Sequence, residues 1–383
     1  MIYDFDTVID RRGTATLKWN KYGEDVLPLW VADMDFVSAE PVLRALHRRV
    51  DHGIFGYTHP TWELRGVIRE RLKRLYGWQV NDDDLLFLPS IVSGLNVSFH
   101  AYAGSGDGIL VQPPVYFHFV RDPLVHDRVL CDPPLVQNGE SYEIDFDAFE
   151  RAITHQTKLF LLCNPHNPVA RVFTKHELEK IAEICLRHNL TICSDEIHCD
   201  LLYSGYRHIP MATLGPEVAR VTVTLMAPSK TFNLPGLNFG FAIIQNDRLR
   251  GPWKRASHGL IPMVNCLAQE AALAAYTDGQ GWLDQALRYL EANRDSLANY
   301  VKTNLTGIKM TKMEATYLAW LDCRKAGIAG SPFEFFLRKA NVALNDGPEF
   351  GRGGEGFVRL NFGCPRKMLV EALERMKTAL NRL

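Results

Sequence analysis

Strand-like apolar runs alternate along the chain with stretches in which apolar residues recur every three or four positions. That alternation predicts an α/β fold with a largely parallel sheet rather than separate all-α and all-β halves. The expected strands are Leu85–Leu88, Gly108–Gln112, Lys158–Cys163, Leu190–Ser194, Val221–Met226 and Phe239–Ile244. Helices fill the intervals, and the clearest begins at Thr174, where Glu177 is placed to complete a capping box ahead of Leu178, Ile181, Ala182 and Cys185. A second box is expected at Ser331-Pro332-Phe333-Glu334, with proline at the first helical position.

Beyond about Gly281 the pattern changes to a long helix reaching Leu305, strand-like Thr316–Leu321, the helix from Ser331, strand-like Phe357–Leu360 and a last helix from Pro365. This predicts a large domain over 46–280 with the mostly parallel central sheet and a smaller α/β domain over 281–383, joined by the N-terminal segment 1–45. A chain of 383 residues exceeds what one compact core usually holds. No long polar linker separates the two parts, so they are expected to pack together.

Composition narrows the function. Forty-three Lys and Arg against forty-four Asp and Glu leave a formal charge of −1, which removes the positive field that nucleic acid or anionic lipid requires. The eight cysteines include no C-x-x-C pair and several lie in apolar runs, as expected for reduced core residues of a cytoplasmic protein. No run approaches the roughly 18 apolar residues of a membrane span, and the N-terminus lacks the basic and apolar segments of an export signal. Thirteen histidines contain no H-E-x-x-H, so no metal is expected. Gly104-Ser-Gly106-Asp-Gly108 precedes a strand and reads as a turn, and Ser229-Lys230-Thr231 lacks the upstream glycines of a phosphate loop.

Three strand ends carry more. Lys158–Cys163 runs into Asn164-Pro-His-Asn167-Pro168, Leu190–Ser194 into Asp195-Glu-Ile-His198, and Val221–Met226 into Ala227-Pro-Ser229-Lys230. The carboxyl ends of strands in an open α/β sheet converge on the ligand crevice, so Asn167, Asp195 and Lys230 can meet around one ligand. Singly, each residue has an ordinary reading as a surface lysine, a helix cap or a turn. Together they suit pyridoxal 5′-phosphate (PLP), which needs a lysine amine, a carboxylate at the pyridine nitrogen and a donor near the ring oxygen.

The lysine, aspartate and asparagine segments resemble those of fold type I PLP enzymes, the aminotransferase class I/II superfamily, over nearly the whole chain. The resemblance implies the PLP-dependent transferase-like fold of aspartate aminotransferase. It implies that Lys230 binds the cofactor covalently and serves as the catalytic base, and that Asp195 pairs with the ring nitrogen. Asn167 and His198 would contact the ring oxygen, Tyr116 would stack on the ring, and the amides of Ile91 and Val92, with Ser229, would hold the phosphate at a helix N-terminus. Tyr57, in Phe55-Gly-Tyr57-Thr58, is implied to reach the phosphate of a neighbouring subunit, hence a homodimer with shared sites. Arg359, in Phe357-Val-Arg359-Leu-Asn-Phe-Gly363, is implied to grip the α-carboxylate of an amino-acid substrate, a bidentate task that suits a planar guanidinium.

Two positions depart from the family pattern. Ala170 stands where a glycine usually follows N-P-x-N-P, and Ala227 where many relatives have serine. The segment Pro28-Leu-Trp-Val-Ala-Asp-Met-Asp-Phe36, with His198 and Gly351-Arg-Gly-Gly-Glu-Gly356, is similar to the MalY/PatB branch of cystathionine β-lyases and cysteine C–S lyases. That points to cleavage of L-cystathionine or a related S-substituted cysteine to thiol, pyruvate and ammonia. An aminotransferase of the same fold, or a regulator retaining the fold, are the alternatives.

Overall fold

The computed structural model describes all residues from Met1 to Leu383. Its centre is a seven-stranded sheet of β1 (Leu85–Leu88), β2 (Gly108–Leu110), β3 (Val129–Cys131), β4 (Thr157–Cys163), β5 (Thr191–Asp195), β6 (Thr222–Met226) and β7 (Gly240–Ile243), in the order β1-β7-β6-β5-β4-β2-β3. Strands β3, β2, β4, β5 and β6 pair in parallel, whereas β7 runs antiparallel to both β6 and β1. Helices cover both faces, which is why β6 is buried at every position, its threonines Thr222 and Thr224 included. The six strands expected from the pattern all form, within two residues at each end. The edge strand β3 was not expected; its side chains are exposed or half-buried, so it lacks the apolar run that marks the interior strands.

The helices follow their caps. Helix α1 (Lys175–Arg187) starts at Thr174 with both halves of the box formed: the Glu177 amide donates to Thr174 Oγ1 at 3.3 Å, and the Thr174 amide donates to the Glu177 carboxylate at 2.8 Å. The box expected at Ser331 forms only in part. Ser331 Oγ accepts from the Glu334 amide, but the Glu334 carboxylate turns away to Arg338 at 3.2 Å, and one α-turn passes into a π-turn over Phe336–Ala340.

A second sheet joins Lys309–Met310, Leu318–Asp322, Phe357–Asn361 and Asn345–Asp346 in that order, all antiparallel. It packs with helices α2 (Gln280–Asn304) and α3 (Arg366–Leu380) around Trp282, Leu290, Leu297, Leu318, Leu360 and Leu369. Phe5, Trp19, Leu27, Leu29, Met34 and Phe36 from the N-terminal segment enter the same buried cluster. No helix is long and apolar enough to cross a membrane. All eight cysteines are free and seven are buried.

The approach to Phe357–Asn361 depends on glycine. Gly347 and Gly354 lie back to back, so that a Cβ built on Gly354 meets the Gly347 carbonyl oxygen at 2.0 Å. Gly281, exposed in the first turn of α2, has open space around it. Gly354→Ala is therefore expected to lower stability by about 2–3 kcal/mol. Gly281→Ala is expected to raise it by about 0.5–1 kcal/mol, since a compatible backbone gains from the reduced freedom of the unfolded chain. Thermal unfolding of the two variants beside the parent checks both signs.

Candidate active site

Parallel pairing brings three strand ends side by side, with Cys163 in register with Asp195 and Asp195 with Leu225. The loops that follow carry Asn167, Asp195 and Lys230 into one cleft of about 770 Å³. Ile91, Val92, Tyr116, Asn167, Asp195, His198, Ser229 and Lys230 all line it. Ile91 and Val92 open the helix Ile91–Tyr102, whose N-cap Ser90 accepts from the Ser93 amide at 3.1 Å. The first amides of a helix have no intrahelical partner, so this end of the cleft suits an anion.

Arg359 reaches the cleft through Asn167. Its guanidinium donates to Asn167 Oδ1 at 3.0 Å, to Asn345 Oδ1 at 2.6 Å and to the Trp30 carbonyl at 3.0 Å, over the Phe350 ring. It is 2% exposed, and its Nε has no partner. Tyr57 is not brought to the cleft. It lies 97% exposed, on the same stretch as exposed Ile54, Phe55 and Trp62.

Both departures from the family pattern are accommodated. Ala170 takes the left-handed φ of 59° and is fully buried, its amide donating to the His166 carbonyl at 2.8 Å and its carbonyl accepting from the Glu314 amide at 2.9 Å. The turn thus keeps its shape with a methyl group inside. Ala227 is the N-cap of the single turn Pro228–Thr231 and supplies no side-chain cap, leaving Ser229 as the hydroxyl of that turn that lines the cleft.

Sequence reasoning missed the backbone and partner groups around Lys230. Its amine donates to the Ala32 carbonyl at 2.6 Å, and Tyr317 donates to the same oxygen at 3.0 Å. Asn233, with φ of 56°, ties the lysine loop to the N-terminal segment: its Oδ1 accepts from the Met34 amide, and its Nδ2 donates to the carbonyls of Met34 and Phe36. The motif Pro28–Phe36 marked the right segment, but its contribution is a carbonyl that every residue carries. Behind Asp195, the fully buried Glu196 carboxylate accepts from Ser194 Oγ, the Met211 amide and His208 Nε2, which fixes the loop.

The charges are poised rather than satisfied. Burial raises the Asp195 carboxyl to about 7, with Glu196 adding to the rise while the Ile197 amide and Lys230 oppose it. Burial lowers the Lys230 amine to about 8, against the pull of Asp33 and Asp195 and with help from Arg359. Burial also lowers His198 to about 3, so its imidazole is neutral, and its Nδ1 is buried without a partner. A cationic ring nitrogen beside Asp195, an acceptor for His198 and an anion at the helix end would answer these deficits. That donor set fits pyridoxal 5′-phosphate, the cofactor expected from the sequence.

A doubly covered parallel sheet with lysine, carboxylate and arginine converging at its carboxyl edge defines an enzyme of the aminotransferase type. Residues 24–376 match the model for "Aminotransferase class I and II", and the chain belongs to that family. It is 40% identical to cystathionine beta-lyase PatB of Bacillus subtilis, across 99% of this chain and 100% of the relative. Among solved structures, cystalysin from Treponema denticola, which contains pyridoxal 5′-phosphate, superposes with a TM-score of 0.95 at 32% identity, covering 100% of both chains. The PLP-bound C–S lyase from Staphylococcus hominis does so with a TM-score of 0.94 at 34% identity, covering 99% of this chain and 98% of that one.

The depressed Lys230 amine has a direct readout. Its neutral, nucleophilic form is present above about pH 8, whereas ordinary lysines need a pH near 10.4. In the cofactor-free chain, competitive labelling followed by mass analysis of the Lys230 peptide is expected to show half-maximal reactivity near pH 8. A midpoint at or above 10 would mean that the cleft does not tune this amine.

Proposed function

We propose that this chain is a pyridoxal 5′-phosphate-dependent carbon–sulfur β-lyase, cleaving L-cystathionine or a related S-substituted L-cysteine to a thiol, pyruvate and ammonia. The observation that carries the reading is the meeting of Lys230, Asp195 and Asn167 in one cleft, with Arg359 bonded to its rim, in a chain that matches C–S lyases end to end. When bound, the cofactor supplies an electron sink for the pair left at the substrate α-carbon.

The residues divide the remaining work. Lys230 would hold the cofactor covalently and would take the α-proton, for which an amine titrating near 8 is well matched. Asp195 stays ionised when it faces a cationic ring nitrogen, because the new charge offsets the burial that now raises it. Asn167 and neutral His198 would address the ring oxygen, Tyr116 would cover a ring face, and the Ile91 and Val92 amides with Ser229 would take the phosphate. Arg359 exchanges protein acceptors for the substrate carboxylate, an exchange of one buried hydrogen-bond set for another with a full negative charge gained.

The partner in this reading is a second copy of the chain. Tyr57, Phe55, Ile54 and Trp62 form an exposed apolar stretch, with Leu260 and Met263 exposed nearby and Gln269 bridging the Thr58 and Val264 carbonyls. Burying that face in an isologous dimer would deliver Tyr57 to the neighbour's phosphate. The domain division we propose is 46–280 for the large domain and 281–383 with 1–45 for the small one, supported by the shared core of Phe5, Trp19, Met34 and Trp282. The eight unpaired cysteines suit a cytoplasmic setting.

Two measurements test this. Supplied with L-cystathionine and no keto acid, the enzyme is expected to release pyruvate, ammonia and thiol in equal amounts, and Lys230→Ala is expected to lose that turnover by at least about a thousandfold. Amino transfer that requires a keto acid, with no thiol released, would make the chain an aminotransferase instead. Separately, Tyr57→Ala and Lys230→Ala subunits, each inactive or weak alone, should regain activity on mixing, since one site of a mixed dimer has both parental groups. No gain after verified subunit exchange would remove Tyr57 from the shared site.

A further inference from the structure

The segment Trp30–Asp35 carries a charge cluster that the chemistry above leaves unused. Lys18, on the one-turn helix Leu17–Asn20, has a fully buried side chain whose ammonium lies 2.6 Å from Asp35 Oδ2 and 3.3 Å from Asp33 Oδ1. Arg11 adds contacts of 3.0 Å to Asp33 and 2.7 Å to Asp35, and Trp19 Nε1 donates to Asp35 at 2.9 Å. Two cations and two carboxylates are thus locked together beneath the cleft. Buried pairs of this kind are seldom the cheapest source of stability, which directs attention to what the cluster holds in place.

What it holds is the peptide that faces Lys230. The Asp33 carbonyl accepts from Lys18 Nζ at 3.0 Å and from Asn361 Nδ2 at 2.7 Å, so the chain is pinned immediately after Ala32. On the other side the Val31 carbonyl accepts from the same Asn361 amide, and the Trp30 carbonyl from Arg359. The Ala32 carbonyl between them is left pointing at the lysine amine, 2.6 Å away.

We propose that Asp33 is a positioning residue for Lys230: clamped by Lys18 and Arg11, it fixes the Ala32 carbonyl as the seat of the free lysine amine and supplies the negative charge that favours a proton on that nitrogen. The inference rests on the reading of Lys230 as the cofactor lysine. The groups facing the amine are Asp33 and Lys18 from the N-terminal segment, Asp195 from the end of β5, Arg359 from the second sheet, and neutral His198 and Tyr317. Asp33 and Asp195 favour the charged amine, Arg359 and Lys18 oppose it, and burial opposes it most. Burial also raises the Asp33 carboxyl, but Lys18 and Arg11 outweigh that and hold it below its ordinary value, so the charge persists across the working range.

The test is a spectrophotometric titration of the cofactor-loaded enzyme, following the visible band of the lysine-linked cofactor against pH. Asp33→Asn keeps the shape and removes the charge, and is expected to move the midpoint down by about half to one pH unit. Asp33→Glu is expected to recover part of the shift. Arg11→Gln removes one of the two cations that clamp Asp33, from a side chain that is 21% exposed, and is expected to move the midpoint the same way as Asp33→Asn but by less. A structural role alone would leave the midpoint in place in both variants, and that result overturns the proposal. Should Asp33→Asn fail to fold, Arg11→Gln decides: a downward shift supports the proposal and any other result overturns it. A band that does not titrate in the parent would also overturn the proposal, whereas a parent enzyme with no visible band at all after cofactor loading would instead overturn the cofactor reading on which this inference rests.

Discussion

The register between β4, β5 and β6 is the constraint from which the cleft follows. Cys163, Asp195 and Leu225 stand level across three parallel strands, so the loops after them leave the sheet at one height. Side chains alternate faces along a strand, and a slip of one residue in β5 would send Asp195 to the opposite side of the sheet. Close packing on both faces excludes that slip, because it would exchange Ile192 and Cys193 between two different buried layers. Packing in the interior thereby fixes the geometry of charges at the edge.

Those charges stand in an environment that favours none of them alone. Burial pushes Asp195 toward its acid, and Lys230 and His198 toward their neutral bases. An uncompensated buried ion costs several kcal/mol even after relaxation, so such a site is stable only with a rigid scaffold around it. Glu196 with His208 behind the aspartate, Arg71 on Asp200 beside Thr231, and Asn233 behind the lysine are that scaffold. Each reaches along the chain for a partner: 12 residues from Glu196 to His208, 129 from Arg71 to Asp200 and 199 from Asn233 to Met34.

Much of this was legible in the sequence where a single element carried the signal. The interior strands announced themselves as apolar runs, the Thr174 box by its spacing, and Asn167, Asp195 and Lys230 by their common place after strands. Signals failed where they depended on distant partners. The antiparallel sense of β7 follows from its pairing with β1, more than 150 residues earlier, which no local pattern encodes. Glu334 had the right spacing for a box and found Arg338 instead. Tyr317, Asn345 and Asn361 act on backbone carbonyls or on Arg359 across the fold, and nothing in their immediate neighbours distinguishes them from core residues. Ala32 contributes an oxygen atom common to all residues, so only its surroundings make it special.

The cysteines acquire significance from the reaction itself. Cys163 lines the cleft, and burial drives its thiol upward, as it does those of Cys185, Cys193, Cys199, Cys323 and Cys364. Disulfide exchange proceeds through thiolate, which these side chains withhold. A catalyst that liberates a free sulfhydryl compound at every turnover thus keeps the one cysteine of its cleft as an unreactive thiol. Exchange with the disulfide that such a product becomes once an oxidant has coupled two of its molecules is disfavoured by the same low-polarity packing that shapes the sheet.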